Sequence, residues 1–395
     1  MNVIIAILGV ISAVLLLYGL YFGVFAVIGL PLKAVEFPET EERKHFAVLI
    51  PARNEEAVIG NLVDSLKAMD YPKDRYEIYV IVNHCTDKTE EAARAHGARI
   101  LDCREDTKSK GEVLDYAFRT LKDHQEIDAY VVFDADNVVD PAFLTEMNKA
   151  IVTAPAAQSF RIGKNAEASW VADCYEVYYA SQDTFYNHPK TRIGRSASIN
   201  GTGWAIRKEV IEQGSFVAKT ITEDFEFTIQ CALQDIPIAY CSKAITKDEY
   251  CEDLKTSMRQ RFRWTFGFVQ NLRIYEGKLF KKAFKGSAVC LDTAMVNLLL
   301  PSITLTIVGV LLGYVVACGF MSLPVYILVQ IAALWFGLSF SAFIAIAKTH
   351  RGVRRHWKGI LANPLFIITW VPIMISCFFR RSLHWKPIEH GKSKK

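Results

Sequence analysis

Residues 3–32 carry no charged side chain. That is longer than the roughly 20 residues a helix needs to cross a bilayer. The stretch lacks the basic start and short apolar core of a cleaved leader, so a retained transmembrane helix is expected. From Phe46 to about Tyr250 the pattern changes to short apolar runs separated by amphipathic stretches. Residues 46–50, 78–82, 99–101 and 130–133 read as buried strands, and 55–69, 88–96 and 111–122 as helices between them. This alternation predicts an α/β domain, Rossmann-like, whose mostly parallel sheet is covered by helices on both faces. Ligands of such sheets bind outside the carboxyl ends of the strands, so the residues that follow each strand are the first candidates for chemistry.

Beyond residue 250 the pattern changes again. Lys255, Arg259, Arg261, Arg263, Arg273, Lys278, Lys281, Lys282 and Lys285 are interleaved with Trp264, Phe266, Phe268, Leu272, Tyr275, Leu279 and Phe280, and Glu276 is the one acid among them. A basic amphipathic helix lying in the membrane interface is expected. Residues 287–320 and 323–347 are long apolar segments and 360–379 is a shorter one. The loop before the last carries Lys348, Arg351, Arg354, Arg355 and Lys358, which the positive-inside rule places in the cytosol. The tail is basic too, so both flanks of 360–379 are positive. A re-entrant or interfacial segment, or an extra break near Pro301, would reconcile this. The expected organisation is a membrane helix at 1–32, a catalytic-type domain at 46–250, amphipathic interface helices at 251–286, a membrane region at 287–380 and a basic cytosolic tail at 381–395.

Composition changes this picture little. The net charge of +4 is concentrated beside the apolar segments, which suits a lipid surface and not a nucleic acid. The nine cysteines form no CxxC pair, which argues against a zinc site or disulfide framework and for reduced thiols facing the cytosol.

Chemistry concentrates at the strand ends. Asp134 and Asp136, one residue apart after the strand at 130–133, can reach one divalent cation, Mg²⁺ or Mn²⁺, whose other positions take diphosphate oxygens. Pro51, Arg53, Asn54 and Glu55 follow the first strand and suit a base and ribose, although Asn54 also suits a helix cap. Asn83 and Asp87 follow the next strand, Asp87 either accepting from the nucleoside or capping the helix from Lys88. Lys110 either pairs with phosphate or is solvated. Glu223 and Asp224 are either first-turn acids of a helix or include a general base. In the string Gln260, Arg261, Phe262, Arg263, Trp264, a helix puts Gln260 and Trp264 one turn apart on one face. There Arg263 can fork onto diphosphate and Trp264 can stack on a sugar, with membrane anchoring as the competing role.

Taken in order, the PxRNE-type loop at 51–55, DxD at 134–136, TED at 222–224 and QxxRW at 260–264 resemble the membrane-integrated family 2 glycosyltransferases, the group of cellulose, hyaluronan and chitin synthases. The resemblance covers roughly residues 46–270 and the layout of leading and trailing membrane segments. It implies a GT-A fold and inverting hexosyl transfer from UDP-glucose or UDP-N-acetylglucosamine. It places Pro51, Arg53, Asn54, Glu55, Asn83, Asp87, Lys110, Asp134, Asp136, Gln260 and Arg263 at the UDP donor, and the metal on Asp134 and Asp136. Asp224 is the implied catalytic base, with Glu223, Trp264 and the loop Asn200, Gly201, Thr202, Gly203, Trp204 on the acceptor side. Trp385 to His390 is similar to an ending of some bacterial members. Asn83 stands where the family usually has Asp, which brings an amide but no charge. The implied setting is a bacterial-type plasma membrane with a cytoplasmic catalytic domain, and assembly of identical chains stays open. The implied product is a growing β-glycan fed into the membrane. The alternative is single addition to a lipid such as diacylglycerol, ceramide or polyprenyl phosphate, which a small membrane part favours.

Overall fold

The computed structural model describes residues 2–31, 35–214, 216–318 and 321–380. The motif at 385–390 and the tail lie outside the described residues. The strands are β1 (Phe46–Ala52), β2 (Tyr76–Asn83), β3 (Arg99–Cys103), β4 (Ala129–Val132), β5 (Val138–Val139), β6 (Ala156–Gly163), β7 (Trp204–Arg207) and β8 (Ile238–Asp248). They form one eight-stranded sheet in the order β3-β2-β1-β4-β7-β6-β8-β5. β3, β2, β1 and β4 run parallel, β7 is antiparallel to both β4 and β6, and β8 is parallel to β6.

The helices are α1 (Asn2–Gly29), α2 (Ile59–Lys67), α3 (Thr89–Ala95), α4 (Lys110–Thr120), α5 (Phe143–Thr153), α6 (Trp170–Gln182), α7 (His188–Arg192), α8 (Lys208–Glu212), α9 (Glu223–Leu233) and α10 (Leu254–Ala283). α11 (Ala288–Asn297), α12 (Leu299–Ala317), α13 (Leu323–Lys348), α14 (Trp357–Ile368) and α15 (Trp370–Phe379) follow.

Successive side chains of β1 point to opposite faces, so both of its faces must be apolar to be buried. Phe46, Val48 and Ile50 join Leu62, Leu66, Phe133 and Phe143 on one side. Ala47 and Leu49 join Val113, Leu114, Trp204 and Phe227 on the other. The expected helix at 55–69 starts late, at Ile59. Asn54 sits at φ 61° and its side chain accepts from Thr86 N at 2.7 Å, so it ties two loops together instead of capping a helix.

The basic stretch at 255–285 is one 30-residue helix, α10, and it is not simply laid on a surface. Arg261, Thr265, Phe266, Val269, Asn271 and Tyr275 are buried, and α10 packs against α9, α11 and α15. The apolar segment 287–320 breaks at Leu298, just ahead of Pro301, into α11 and α12. Among the described residues, three helices are long and apolar enough to cross a membrane: Asn2–Gly29, Leu323–Lys348 and Trp357–Phe379. The last contains Pro364 and is divided at Thr369 into α14 and α15. In the turn before it, Arg351 is almost fully buried, 2.5 Å from Glu176 and 3.0 Å from Asp183 on the α/β domain.

Candidate active site

The carboxyl ends of β1, β2 and β4 open at one edge of the sheet, and the loops behind β1 and β2 are joined by hydrogen bonds. Glu55 N donates to Thr89 Oγ1 at 2.7 Å, Lys88 N to Glu56 Oε2 at 2.9 Å, and Glu56 N to Asp87 Oδ2 at 3.2 Å. Asp87 therefore works inside this pair of loops, and Thr89 N also donates to it. Pro51 is in register with Ile81, next to the mouth of the site. Asn83 is buried, and its amide donates to Thr107 Oγ1 at 2.7 Å and to Cys103 O at 3.3 Å, which holds the turn after β3.

Asp134 and Asp136 stand in the turn that leaves β4. Asp134 N donates to Thr202 Oγ1 at 3.0 Å, and Lys110 Nζ lies 2.6 Å from Asp134 Oδ1 and 2.8 Å from Gly201 O. Burial works against the charged form of Asp134, but the Lys110 ammonium, with Arg161 and Arg263 behind it, holds the carboxyl below its ordinary value. Asp136 is pushed well above its ordinary value by burial, and then by Asp248 and Asp134. Glu55 is pushed up to about 8 by burial and by Asp134, Asp87 and Glu249, and its Oε2 is buried with no hydrogen-bond partner among the described residues.

This is an excess of carboxylate around one pocket of the sheet edge. Among the described residues no three His, Cys, Asp or Glu side chains converge into a closed metal cage. The donor set is hard oxygen with negative charge in excess, which fits Mg²⁺ or Mn²⁺ bound partly by protein and partly by a phosphate ligand.

On the opposite wall, Glu223 and Asp224 open α9. Glu223 is buried and 3.5 Å from Lys110 Nζ; burial raises its carboxyl to about 7 against the pull of Lys110. Asp224 is half-buried and also raised by burial. Gly201, at φ 71°, brings the backbone close: a Cβ there would stand 3.7 Å from Asp224 Oδ2 and 3.3 Å from Arg161 Nη2. Asn200 N is held by Gln158 Oε1 at 2.8 Å, and Thr202 is fully buried. Trp204 is not in the cleft. It is 1% exposed in the core beside Phe227, because a residue in the middle of the sheet must bury its ring. The acceptor role expected for it is therefore corrected to packing.

Gln260, Arg263 and Trp264 lie on the cleft-facing stretch of α10. Gln260 Oε1 accepts from Tyr175 Oη at 3.0 Å, Arg263 is close enough to lower the Asp134 carboxyl, and Trp264 stacks on Tyr178 with ring centroids 6.5 Å apart. Arg261, in the same motif, is 0% exposed and donates to Phe366 O and Thr369 Oγ1 at 3.1 and 2.8 Å, so it fastens α10 to the divided membrane-length helix.

Several residues of the site were missed in the sequence. Asp248, at the end of β8, accepts from Asn137 at 2.9 Å, and the same amide donates to Asp136 at 3.2 Å. Arg161 faces Asp248 at 3.4 Å and lies over the Tyr179 ring, and Lys164 donates to Asp136 O at 2.7 Å. The strand-end rule applied to 238–248 would have found Asp248, and a lone Arg inside the apolar run of β6 was a signal for Arg161. Tyr178 carries no such signal.

Residues 43–267, more than half of the chain, match the family model described as glycosyltransferase like family 2. A probable glycosyltransferase, YdaM, of Bacillus subtilis is 27% identical over 239 residues, covering 58% of this chain and 56% of that protein. A beta-monoglucosyldiacylglycerol synthase of Nostoc sp. is 25% identical over 60% of this chain and 51% of its own length. The cellulose synthase 1 catalytic subunit of Komagataeibacter xylinus is 24% identical over 71% of this chain and 38% of its own length. The chain thus spans about half, or less, of these relatives. The fold is that of the mannosyltransferase PcManGT from Pyrobaculum calidifontis, solved with GDP-Man and Mn²⁺, at a TM-score of 0.63 and 17% identity over 91% of this chain and 98% of that one. The matched family model, the GT-A sheet and the enzymes it aligns with agree: this chain belongs to glycosyltransferase family 2.

Proposed function

We propose that the protein transfers a hexose from UDP-glucose or UDP-N-acetylglucosamine, with inversion, to a hydroxyl of a membrane-borne acceptor. The carrying observation is the convergence of Asp134, Asp136, Lys110, Asp224 and Trp264 on one cleft, whose floor helix α10 is packed against α15. The loops 51–56 and 83–87 would hold the nucleoside. Asp134 and Asp136 would hold Mg²⁺ or Mn²⁺, which when bound offsets the charge of the departing diphosphate. Lys110 and Arg263 add fixed positive charge on the same side. Asp224 takes the proton of the acceptor hydroxyl while that oxygen bonds to the anomeric carbon and the bond to the diphosphate breaks. Burial raises its basicity, which suits that role.

The catalytic domain shares a side of the membrane with the turn at 349–356, because Arg351 is paired with Glu176 and Asp183. That turn belongs to the basic loop of 348–358, so the positive-inside rule supports a cytoplasmic catalytic domain, where nucleotide sugars are made.

Single addition is the preferred reading, because Phe366 and Trp370 of the last membrane-length helix pack directly on Tyr175, Tyr178 and the Arg261 guanidinium beside Trp264, which favours a closed junction over a polymer channel. Processive β-glycan synthesis is the second reading, favoured by the cellulose synthase relative with its 71% coverage of this chain. The test is a panel of UDP-sugars on purified protein in native-like membranes, reading UDP release and product mass together. One added hexose supports the first reading and a ladder of masses the second. No UDP release with any donor would refute both.

A further inference from the structure

Two aromatic side chains outside the recognised motifs border the same cleft. Tyr178, on α6, lies between Trp264, with centroids 6.5 Å apart and planes at 22°, and Trp370, 5.5 Å away. Trp370 is the first residue of α15, at the division of the last membrane-length helix, so a membrane element delivers it to the cleft. Its position is fixed from two directions. Its indole Nε1 donates to Thr265 Oγ1 on α10 at 3.1 Å, and the Arg261 guanidinium lies 4.9 Å from its ring. The phenol of Tyr178 is close enough to Asp224 for that carboxylate, after burial, to raise its pKa, to about 12. The three rings therefore form one contiguous cluster, and Asp224 is near enough to act electrostatically on its middle member.

The charges at this place have partners of their own. Arg161 faces Asp248 at 3.4 Å, Lys110 faces Asp134 at 2.6 Å and Glu223 at 3.5 Å, Arg261 is turned to the Phe366 carbonyl at 3.1 Å, and Arg263 acts on Asp134, on the side assigned to the donor diphosphate. An incoming phosphate would meet Asp224 and Glu223 and would have to draw a cation from an existing pair, whereas buried like charges repel strongly. An uncharged hydroxyl on a carbon skeleton needs only the acid and the ring faces.

We propose that Tyr178 and Trp370 together with Trp264 form an acceptor platform selecting a neutral lipid alcohol over a lipid phosphate. This rests on the transferase reading above and names its acceptor class. The platform supplies apolar contact for the carbons around the reacting hydroxyl, and Trp370 sets its depth relative to the bilayer.

The test uses the full chain in phosphatidylcholine nanodiscs with its active UDP-sugar, and with dioleoylglycerol or polyprenyl phosphate as acceptor. Dioleoylglycerol should be glycosylated at least about tenfold faster than polyprenyl phosphate. Trp370→Ala and Tyr178→Ala should each raise the KM for dioleoylglycerol by about tenfold, the scale of losing one aromatic face. Trp370→Phe should recover most of that loss. UDP affinity, measured directly, should stay near wild type and serves as the check on folding. UDP release coupled to glycosylation of polyprenyl phosphate, or of a soluble glycan only, overturns the neutral-lipid platform and leaves the transferase reading standing. Unchanged acceptor KM in both alanine variants overturns it as well. Wild-type protein that releases no UDP with any donor overturns the transferase reading and this one with it.

Discussion

Lys110 Nζ lies 2.6 Å from Asp134 Oδ1 and 2.8 Å from the carbonyl of Gly201, so one ammonium joins the turn after β4 to the turn before β7. Ser109 caps α4 by accepting from Glu112 N at 3.2 Å, which places Lys110 in the first turn and aims it across the cleft. A lysine drawn from a helix start is thereby an organiser of the sheet edge, and its loss should be felt on both sides of the site.

Replacing it tests this. Lys110→Met leaves the Asp134 and Glu223 carboxylates without their shared cation. Losing one partner of a charge-assisted hydrogen bond in a partly exposed pair costs about 1.5–3 kcal/mol, so kcat/KM should fall about ten- to a hundredfold. Lys110→Arg should retain more activity than the methionine variant. Equal activity in wild type and Lys110→Met would show that the ammonium only fills space.

Metal removal should stop the reaction. With Asp134, Asp136, Glu55 and Asp248 around one pocket, a nucleoside diphosphate adds charge to an already acidic place. EDTA is expected to abolish UDP release, and Mg²⁺ or Mn²⁺ to restore it. Asp136→Asn should raise the metal concentration needed for half-maximal rate. Full activity in EDTA would remove the cation from the scheme.

The buried network at Arg351 should matter for stability. Arg351 faces Glu176 and Asp183 and lies over the Phe160 ring at 4.5 Å. Breaking such a pair by removing one partner typically costs about 3–5 kcal/mol. Arg351→Met should therefore lower the thermal unfolding midpoint by several degrees in detergent, and Arg355→Met, on the exposed side of the same turn, should leave it unchanged. Equal midpoints for both variants would show that the network contributes nothing net.

A neighbouring pair makes stability depend on pH. His356 Nδ1 is 2.7 Å from Asp173 Oδ1 in a buried setting that also holds Glu176 and Arg351. Burial alone would lower the imidazole pKa; the bond to Asp173 more than offsets it and raises the pKa above the ordinary 6.5. A raised histidine stabilises the fold fully below about 6.5, and the gain is lost as pH climbs through the folded-state value. Unfolding midpoints should fall between pH 6 and pH 9, and His356→Gln should flatten that slope. An unchanged slope in the variant would place the pH dependence elsewhere.

Period and strand-end position made much of this legible. The runs at 46–50, 78–82, 99–101 and 130–133 became strands within two residues at each end, because a buried strand has to be apolar on both faces. The DxD turn, Lys110 and the acids of α9 meet because a parallel sheet collects its loops at one edge. What depends on distant packing was not legible. Trp204 looked like part of a glycine-rich acceptor loop, but its ring is in the core, while Gly201 and Thr202 shape the turn above it. Arg261 and Arg351 looked like membrane-surface charges, and both are buried in specific contacts. Tyr178 and Trp370 are 192 positions apart in numbering, and only the fold brings their rings within 5.5 Å.

The decisive experiment concerns the two acids that open α9. Glu223 is buried, its Cβ packs where a side chain at Gly111 would stand, and its carboxylate turns to Lys110 on the donor side. Asp224 is more open and is close to Gly201 and to the Tyr178 phenol on the acceptor side. On the proposed mechanism the neighbours divide the labour: Glu223 would orient Lys110, and Asp224 would meet the incoming hydroxyl. Asp224→Asn keeps shape and hydrogen bonding but cannot take the proton. General-base catalysis contributes about 10²–10⁴-fold, so transfer should fall at least a hundredfold while UDP affinity stays near wild type. Glu223→Gln should cost no more than about tenfold and should shift UDP affinity in step with Lys110→Arg, because it acts through the same ammonium. If Asp224→Asn turns over normally while Glu223→Gln does not, the base is Glu223 and the division is reversed. If both variants turn over normally, the proton leaves by a group outside α9.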